Sequence, residues 1–247
     1  MISKTFFVCS CLNVKERLMK TTLIIGATSA VGKALAQIAI NEGNNVITMS
    51  RTSPEIAGTT SFIYDLTDPH SFPKVEGTID QLIYCPGTIN LKPFRSLKHE
   101  DFQQDLNINV LGAIQVIQHF LPNLLASPAA SVVLFSTVAV QVGMPYHASI
   151  AVSKGAIEGL TRSLAAEYAS KIRFNCIAPS LTDTPLARRL LSSPEKKVAN
   201  GERHPMKRVG EASDLAEMAA FLMSDKSSWI TGQIMHVDGG MSNLKTN

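Results

Sequence analysis

Residues 131–169 read SVVLFSTVAVQVGMPYHASIAVSKGAIEGLTRSLAAEYA. An apolar run, Val132 to Phe135, ends in a hydroxyl pair, Ser136 and Thr137. Gly143 and Pro145 then mark a short loop, and a helix rich in small residues carries a single lysine, Lys154, among apolar neighbours. A strand that delivers hydroxyls at its end, followed by a helix that returns a lysine, makes one wall of a site in an α/β protein. Residues four apart share a helix face. Ile150 therefore shares the surroundings of Lys154, and it has no proton to give.

Towards the N-terminus, Thr22 to Ala27 is a short apolar run that predicts a buried parallel strand. The turn Gly26-Ala27-Thr28-Ser29-Ala30-Val31-Gly32 follows. Then Val31, Ala34, Leu35, Ile38 and Ala39 recur at helical spacing, and Gly43 ends the helix. Strand, glycine turn and helix together place a pyrophosphate on a helix N-terminus, where free N–H groups and the helix dipole favour an anion. The second strand, Val46 to Met49, ends in Ser50-Arg51, with no carboxylate between 43 and 54. An acidic residue there binds a ribose 2′-hydroxyl, whereas an arginine accommodates a 2′-phosphate. This favours NADP(H) over NAD(H), the alternative being that Arg51 is only a surface loop residue.

Further strands are predicted at Phe62–Tyr64, followed by Asp65-Leu66, and at Asp80–Cys85, followed by Pro86-Gly87. Ile172–Ile177, ending in Ala178-Pro179-Ser180, and Ile234–Val237 complete a set of seven with the runs at 22–27, 46–49 and 132–135. Residues 100–121 predict one long helix, with Asn107 and Asn109 as polar interruptions: either satisfied core amides or functional ones. Residues 184–210 read as irregular, and Ser213 is expected to cap a helix running to Met223. Strands alternating with helices predict a parallel sheet covered on both faces.

Composition sets the bounds. A chain of 247 residues that is 45% apolar has ample material for one α/β domain. Its formal charge of +3 comes entirely from residues 1–20, so there is no case for nucleic-acid binding. No apolar run approaches the ~18 residues of a membrane span. Cys9, Cys11, Cys85 and Cys176 form no metal-ligand spacing, so reduced thiols and a cytoplasmic setting are expected. Residues 1–18 are expected to be a disordered extension, with Met19 a second possible start, and 19–247 to be the folded domain.

These features together resemble the short-chain dehydrogenase/reductase family over Thr21 to Met241. Gly26-x3-Ala30-x-Gly32 is similar to its cofactor turn and Asp65-Leu66 to its adenine-contacting pair. Tyr84-Cys85-Pro86-Gly87 stands where the family has Asn-Asn-Ala-Gly, and Asn109-Val110-Leu111-Gly112 resembles its active-site asparagine segment. Pro179-Ser180, Thr182 and Thr184 resemble the segment over the nicotinamide, and Val237-Asp238-Gly239-Gly240 its C-terminal signature. The resemblance implies a doubly wound, Rossmann-type, seven-stranded parallel sheet in a single domain. It also implies dinucleotide contacts from Gly26, Thr28, Ser29, Ala30, Val31, Ser50, Arg51, Asp65, Leu66, Cys85, Gly87, Lys154, Pro179, Ser180, Thr182 and Thr184.

The family's catalytic set is serine, tyrosine, lysine and asparagine. Lys154 and Asn109 match; the serine position falls on Thr137, and the tyrosine position falls on Ile150. Enoyl-thioester reductases of the superfamily place their tyrosine seven residues before the lysine, and His147 occupies that slot. His147 and its neighbour Tyr146 either compensate or merely line the loop. Two functions follow: an NADP(H)-dependent oxidoreductase acting on a carbonyl or activated alkene with an altered proton donor, or a catalytically silent NADP(H)-binding sensor or scaffold. No metal is implied. The expected partners are a small-molecule substrate and further copies of the chain, as a homodimer or homotetramer. Seven basic residues against two acidic between 184 and 210 suit a negatively charged substrate.

Overall fold

The computed structural model describes residues 19–66, 68 and 72–245. The expected extension at 1–18, with Cys9 and Cys11, lies outside them. A seven-stranded sheet forms the centre: β1 (Thr21–Ile25), β2 (Asn45–Ser50), β3 (Thr59–Ile63), β4 (Gln81–Tyr84), β5 (Ala130–Phe135), β6 (Ile172–Pro179) and β9 (Ile234–Val237). Their order is β3-β2-β1-β4-β5-β6-β9, and every pairing is parallel. The seven strands predicted from apolar runs are all present, with ends shifted by up to three residues.

Both faces of the sheet are covered, which is why its strands are near-continuous apolar runs. Alternate residues of one strand feed opposite cores. Leu23 and Ile25 pack with Leu82, Val132, Leu134 and Phe174 under α3 (Gly112–Ala126) and α4 (Ala148–Tyr168). Ile24, Ile83, Val133 and Ile177 pack under α1 (Ala30–Asn41) and α6 (Ala212–Met223). The strand order reverses between β1 and β4, and this switch point opens a crevice at the carboxyl ends of the strands.

Three local expectations are corrected. The predicted helix over 100–121 is α2 (His99–Leu106), one π-helical turn (Asn107–Leu111) and α3. The Tyr84 hydroxyl, arriving from β4, donates to Ile108 O at 2.5 Å and satisfies a carbonyl at the wider turn. Ser213 does not cap α6; the helix starts two residues earlier than that cap implies, at Ala212, and Glu211 is the cap. Asp214 reaches back to Glu211 N (2.7 Å) and is held bidentately by Arg208 at 2.6 and 2.8 Å. Residues 184–210 are not wholly irregular. They contain α5 (Pro194–Gly201), whose start is capped by the Ser193 side chain accepting from Lys196 N. Two short parallel strands, β7 (Thr182–Asp183) and β8 (Gly210–Glu211), flank this segment.

Candidate active site

At the switch point, β1 ends in Gly26 with φ +78°, a conformation a side chain would strain. A Cβ there would also meet the Pro86 ring at 3.0 Å. At Gly32 a Cβ would lie 2.8 Å from Gly26 O and Ala27 Cα, so both glycines are needed for the turn to close on itself. Ser29 caps α1, its hydroxyl accepting from Gly32 N at 3.0 Å. No carboxylate stands in the first turn of α1, which leaves its N-terminus suited to an anion. Thr28 is exposed, Ala30 half-buried and Val31 buried.

At the end of β2, Ser50 is buried and its hydroxyl has no hydrogen-bond partner among the described residues, while Arg51 is exposed beside it. A buried hydroxyl without a partner is costly unless a ligand supplies one. Asp65 and Leu66 follow β3 on the same edge, exposed and half-buried respectively. Beyond β6, Pro179 and Ser180 are half-buried. The Thr182 hydroxyl donates to Ser180 O (3.0 Å) and the Thr184 hydroxyl to Thr182 O (3.4 Å).

The residues expected to be catalytic lie on the neighbouring elements. Ser136 is buried and its hydroxyl is committed to Glu158 Oε1 at 2.8 Å. Thr137 is half-buried, and its Oγ1 accepts from Ala139 N at 3.3 Å, so its own proton remains available to donate. The structure thus separates the two hydroxyls: Ser136 is a strut and Thr137 faces outward. Lys154 is buried in α4 and donates to Phe135 O at 2.9 Å. Burial pulls its proton affinity down to about 8, against the opposing pull of Cys176, Asp105 and Cys85.

Asn109 sits in the π-helical turn, 1% exposed. A methyl group added to Gly87 would lie 3.4 Å from Asn109 Oδ1 and 3.6 Å from Lys154 Nζ. The end of β4, the π turn and α4 therefore meet at one point. Cys85 lies alongside, and burial raises its thiol to about 12, so it is neutral at physiological pH.

Ile150 is 4% exposed, presenting hydrocarbon one turn from Lys154. His147, immediately before α4, is half-buried. Its Nδ1 lies 2.7 Å from Pro145 O, a carbonyl, so Nδ1 carries a proton. No described residue hydrogen-bonds its Nε2. Tyr146 is 60% exposed with φ +69°, turned out of the site.

A family model described as enoyl-(acyl carrier protein) reductase matches residues 70–242. The Escherichia coli oxidoreductase UcpA is 33% identical over 90% of this chain and 94% of its own length. The ligand-free aldohexose dehydrogenase of Thermoplasma acidophilum superposes with a TM-score of 0.85 at 30% identity, covering 93% of this chain and 97% of that one. The chain is a short-chain dehydrogenase/reductase. More distant chains of this fold, 24% identical, have been solved with NADP and with NADH, so the fold does not choose the dinucleotide.

Within this short-chain dehydrogenase/reductase, two groups of residues at the site escaped the sequence reading. Thr88, Ser153 and the Asp105 carbonyl accept from the Asn109 amide, and Ser149 donates to the Asp105 carboxylate behind it. The signal was available in part: Asp105 is four residues before Asn109, on the same helix face. The other group is His204, 3% exposed, whose Nε2 lies 2.8 Å from Ser180 Oγ and whose Nδ1 lies 2.9 Å from Asn200 O. Nothing in the local sequence pairs residues 180 and 204; the return of the chain after α5 does.

Proposed function

We propose that this short-chain dehydrogenase/reductase is an NADP(H)-dependent oxidoreductase acting on a carbonyl or activated alkene with a proton donor other than the family's tyrosine. The observation that carries the reading is the convergence of Gly87, Asn109 and Lys154 at the end of β5, where Lys154 holds the Phe135 carbonyl and Thr137, two residues on, keeps its hydroxyl proton. Burying a lysine is costly, and a scaffold that only bound ligand elsewhere would have no use for it. The orphaned Ser50 hydroxyl beside Arg51, with no acid in the first turn of α1, suits a 2′-phosphate and a pyrophosphate.

Bound there, the reduced dinucleotide supplies a hydride. Lys154 binds the ribose hydroxyls and Thr137 donates a hydrogen bond to the acceptor oxygen. Ile150 cannot donate, and His147 supplies the proton from Nε2 while Nδ1 stays on Pro145 O. The acceptor carries negative charge. Lys197, Lys207 and Arg208 are paired with Asp183, Glu202 and Asp214, whereas Arg188, Arg189 and Arg203 have no ion-pair partner among the described residues. Ile150 itself favours the second reading, a silent NADP(H)-binding protein.

A screen of NADPH and NADH oxidation across aldehydes, ketones, quinones and enoyl thioesters separates the two. Turnover with NADPH, lost in His147→Ala, is expected. Tight NADPH binding without turnover in any class would leave the silent protein as the answer.

A further inference from the structure

We propose that Asp105 is a positioning residue of this site: it orients the Asn109 amide through Thr88, anchors the start of α4 through Ser149, and supplies the negative charge that faces Lys154. A carboxylate 1% exposed is rare in a protein interior unless it is partnered. Both of its oxygens are engaged by hydroxyls: Oδ1 accepts from Thr88 Oγ1 at 2.6 Å, and Oδ2 accepts from Ser149 Oγ. Acceptance at both oxygens is the pattern of the ionised form.

The network has a direction. Thr88 Oγ1 accepts from Asn109 Nδ2 at 2.9 Å, so its single proton goes to Asp105. Asn109 Nδ2 gives its other proton to Asp105 O at 2.8 Å. With both amide protons turned towards residues 88 and 105, Asn109 Oδ1 is left facing Gly87, on the side where Lys154 Nζ lies. The acceptor at 105 acts together with Thr88 N, which donates to Asn109 Oδ1 at 3.4 Å, to set which end of the asparagine addresses the lysine. Ser149 precedes Ile150, so the same carboxylate also holds the first turn of α4.

The groups around Lys154 come from four elements. Cys85 follows β4, Cys176 is on β6, Phe135 O ends β5, and Asp105 is on α2. Glu158, one turn further along α4, is engaged by Ser136 and Arg162. Asp101, one turn before Asp105, is paired with Lys92 at 2.6 Å. Burial raises both thiols to about 12, so they carry no charge where the lysine titrates, near 8. Of the three groups that favour the ammonium, Asp105 is the anion.

The inference deepens the oxidoreductase reading, but its test is made in the free protein. Lysine labelled at Cε and Nζ is followed by NMR, with Lys154 assigned from Lys154→Arg. In the native protein Lys154 should titrate near 8; in Asp105→Asn, which keeps the shape and loses the charge, the midpoint should fall by ~1 unit. A residue with only a structural role would lower thermal stability and leave that midpoint in place, which overturns the proposal. Should Asp105→Asn not fold, Thr88→Val asks the same of the relay: exchange of the Asn109 side-chain amide protons should quicken at least ~10-fold, and unchanged exchange overturns it. If no variant nor the native protein binds NADPH, the oxidoreductase reading fails, while the Lys154 titration still decides this one.

Discussion

Gly112→Ala should change the sign of its effect with the residue at position 84. Gly112 has right-handed helical dihedrals, φ −61° and ψ −40°, so alanine is not strained there by its backbone. In an open helix the substitution would gain ~1 kcal/mol of propensity. Here the new methyl would collide with the Tyr84 hydroxyl, the next neighbours being Asn107 O at 3.4 Å and Tyr84 Cζ at 3.5 Å. Overpacking of this kind costs ~1–3 kcal/mol, so a net loss of up to ~2 kcal/mol is expected, a fall of up to about 8 °C in Tm for a chain of this size. Tyr84→Phe alone should cost ~1–3 kcal/mol, because Ile108 O loses its partner. With the hydroxyl gone only contacts near van der Waals distance remain, and Gly112→Ala should then be neutral or stabilising. Urea unfolding of the four proteins gives the coupling directly, about 2 kcal/mol by these figures. Equal costs of Gly112→Ala in both backgrounds would refute the argument that the Tyr84 hydroxyl wedges the π-helical turn open and so sets the position of Asn109.

In a His147→Ala background, where the proposed acid is gone, Ile150→Tyr should raise ketone reduction by ~10²–10⁴-fold, the usual contribution of a placed general acid; a folded, cofactor-binding double variant with no gain would show that position 150 does not address the acceptor oxygen. Arg51→Ala should weaken NADP(H) binding by about 10–100-fold, as expected for loss of a charge-assisted contact, and leave NAD(H) binding unchanged in calorimetric titration. Arg188→Ala combined with Arg189→Ala should raise KM for an anionic acceptor by about 10-fold and flatten its salt dependence; unchanged kinetics would remove the case for a charged substrate. Light scattering should give a dimer or tetramer, since Ala156, Gly159 and Ala166 leave an open, small-residue stripe along α4; a monomer mass at micromolar concentration would exclude this.

The sequence by itself determined the seven strands, the helices around them and the dinucleotide turn, because those signals are local. Apolar runs of strand length, helical spacing after Gly26 and a glycine past the end of α1 can all be read within a window of about a dozen residues. It also placed Ile150 on the helix face of Lys154, because a position four before a lysine on a helix is geometry that needs no partner. The break in the 100–121 helix was not legible locally: the group that takes the Ile108 carbonyl there is a tyrosine hydroxyl delivered from β4 across 24 residues. That the Ser136 hydroxyl is already engaged could not be read locally, since its partner is Glu158, 22 residues away on α4. The setting of Asn109 needed Thr88, Asp105 and Ser153, residues 21, 4 and 44 positions away. The proton affinity of Lys154 could be anticipated in direction, since an apolar neighbour desolvates a charge, but its surroundings are drawn from four different elements. Periodicity encodes which face of an element is buried; only tertiary packing decides which polar groups are shut in together, and therefore which of them hold or yield a proton.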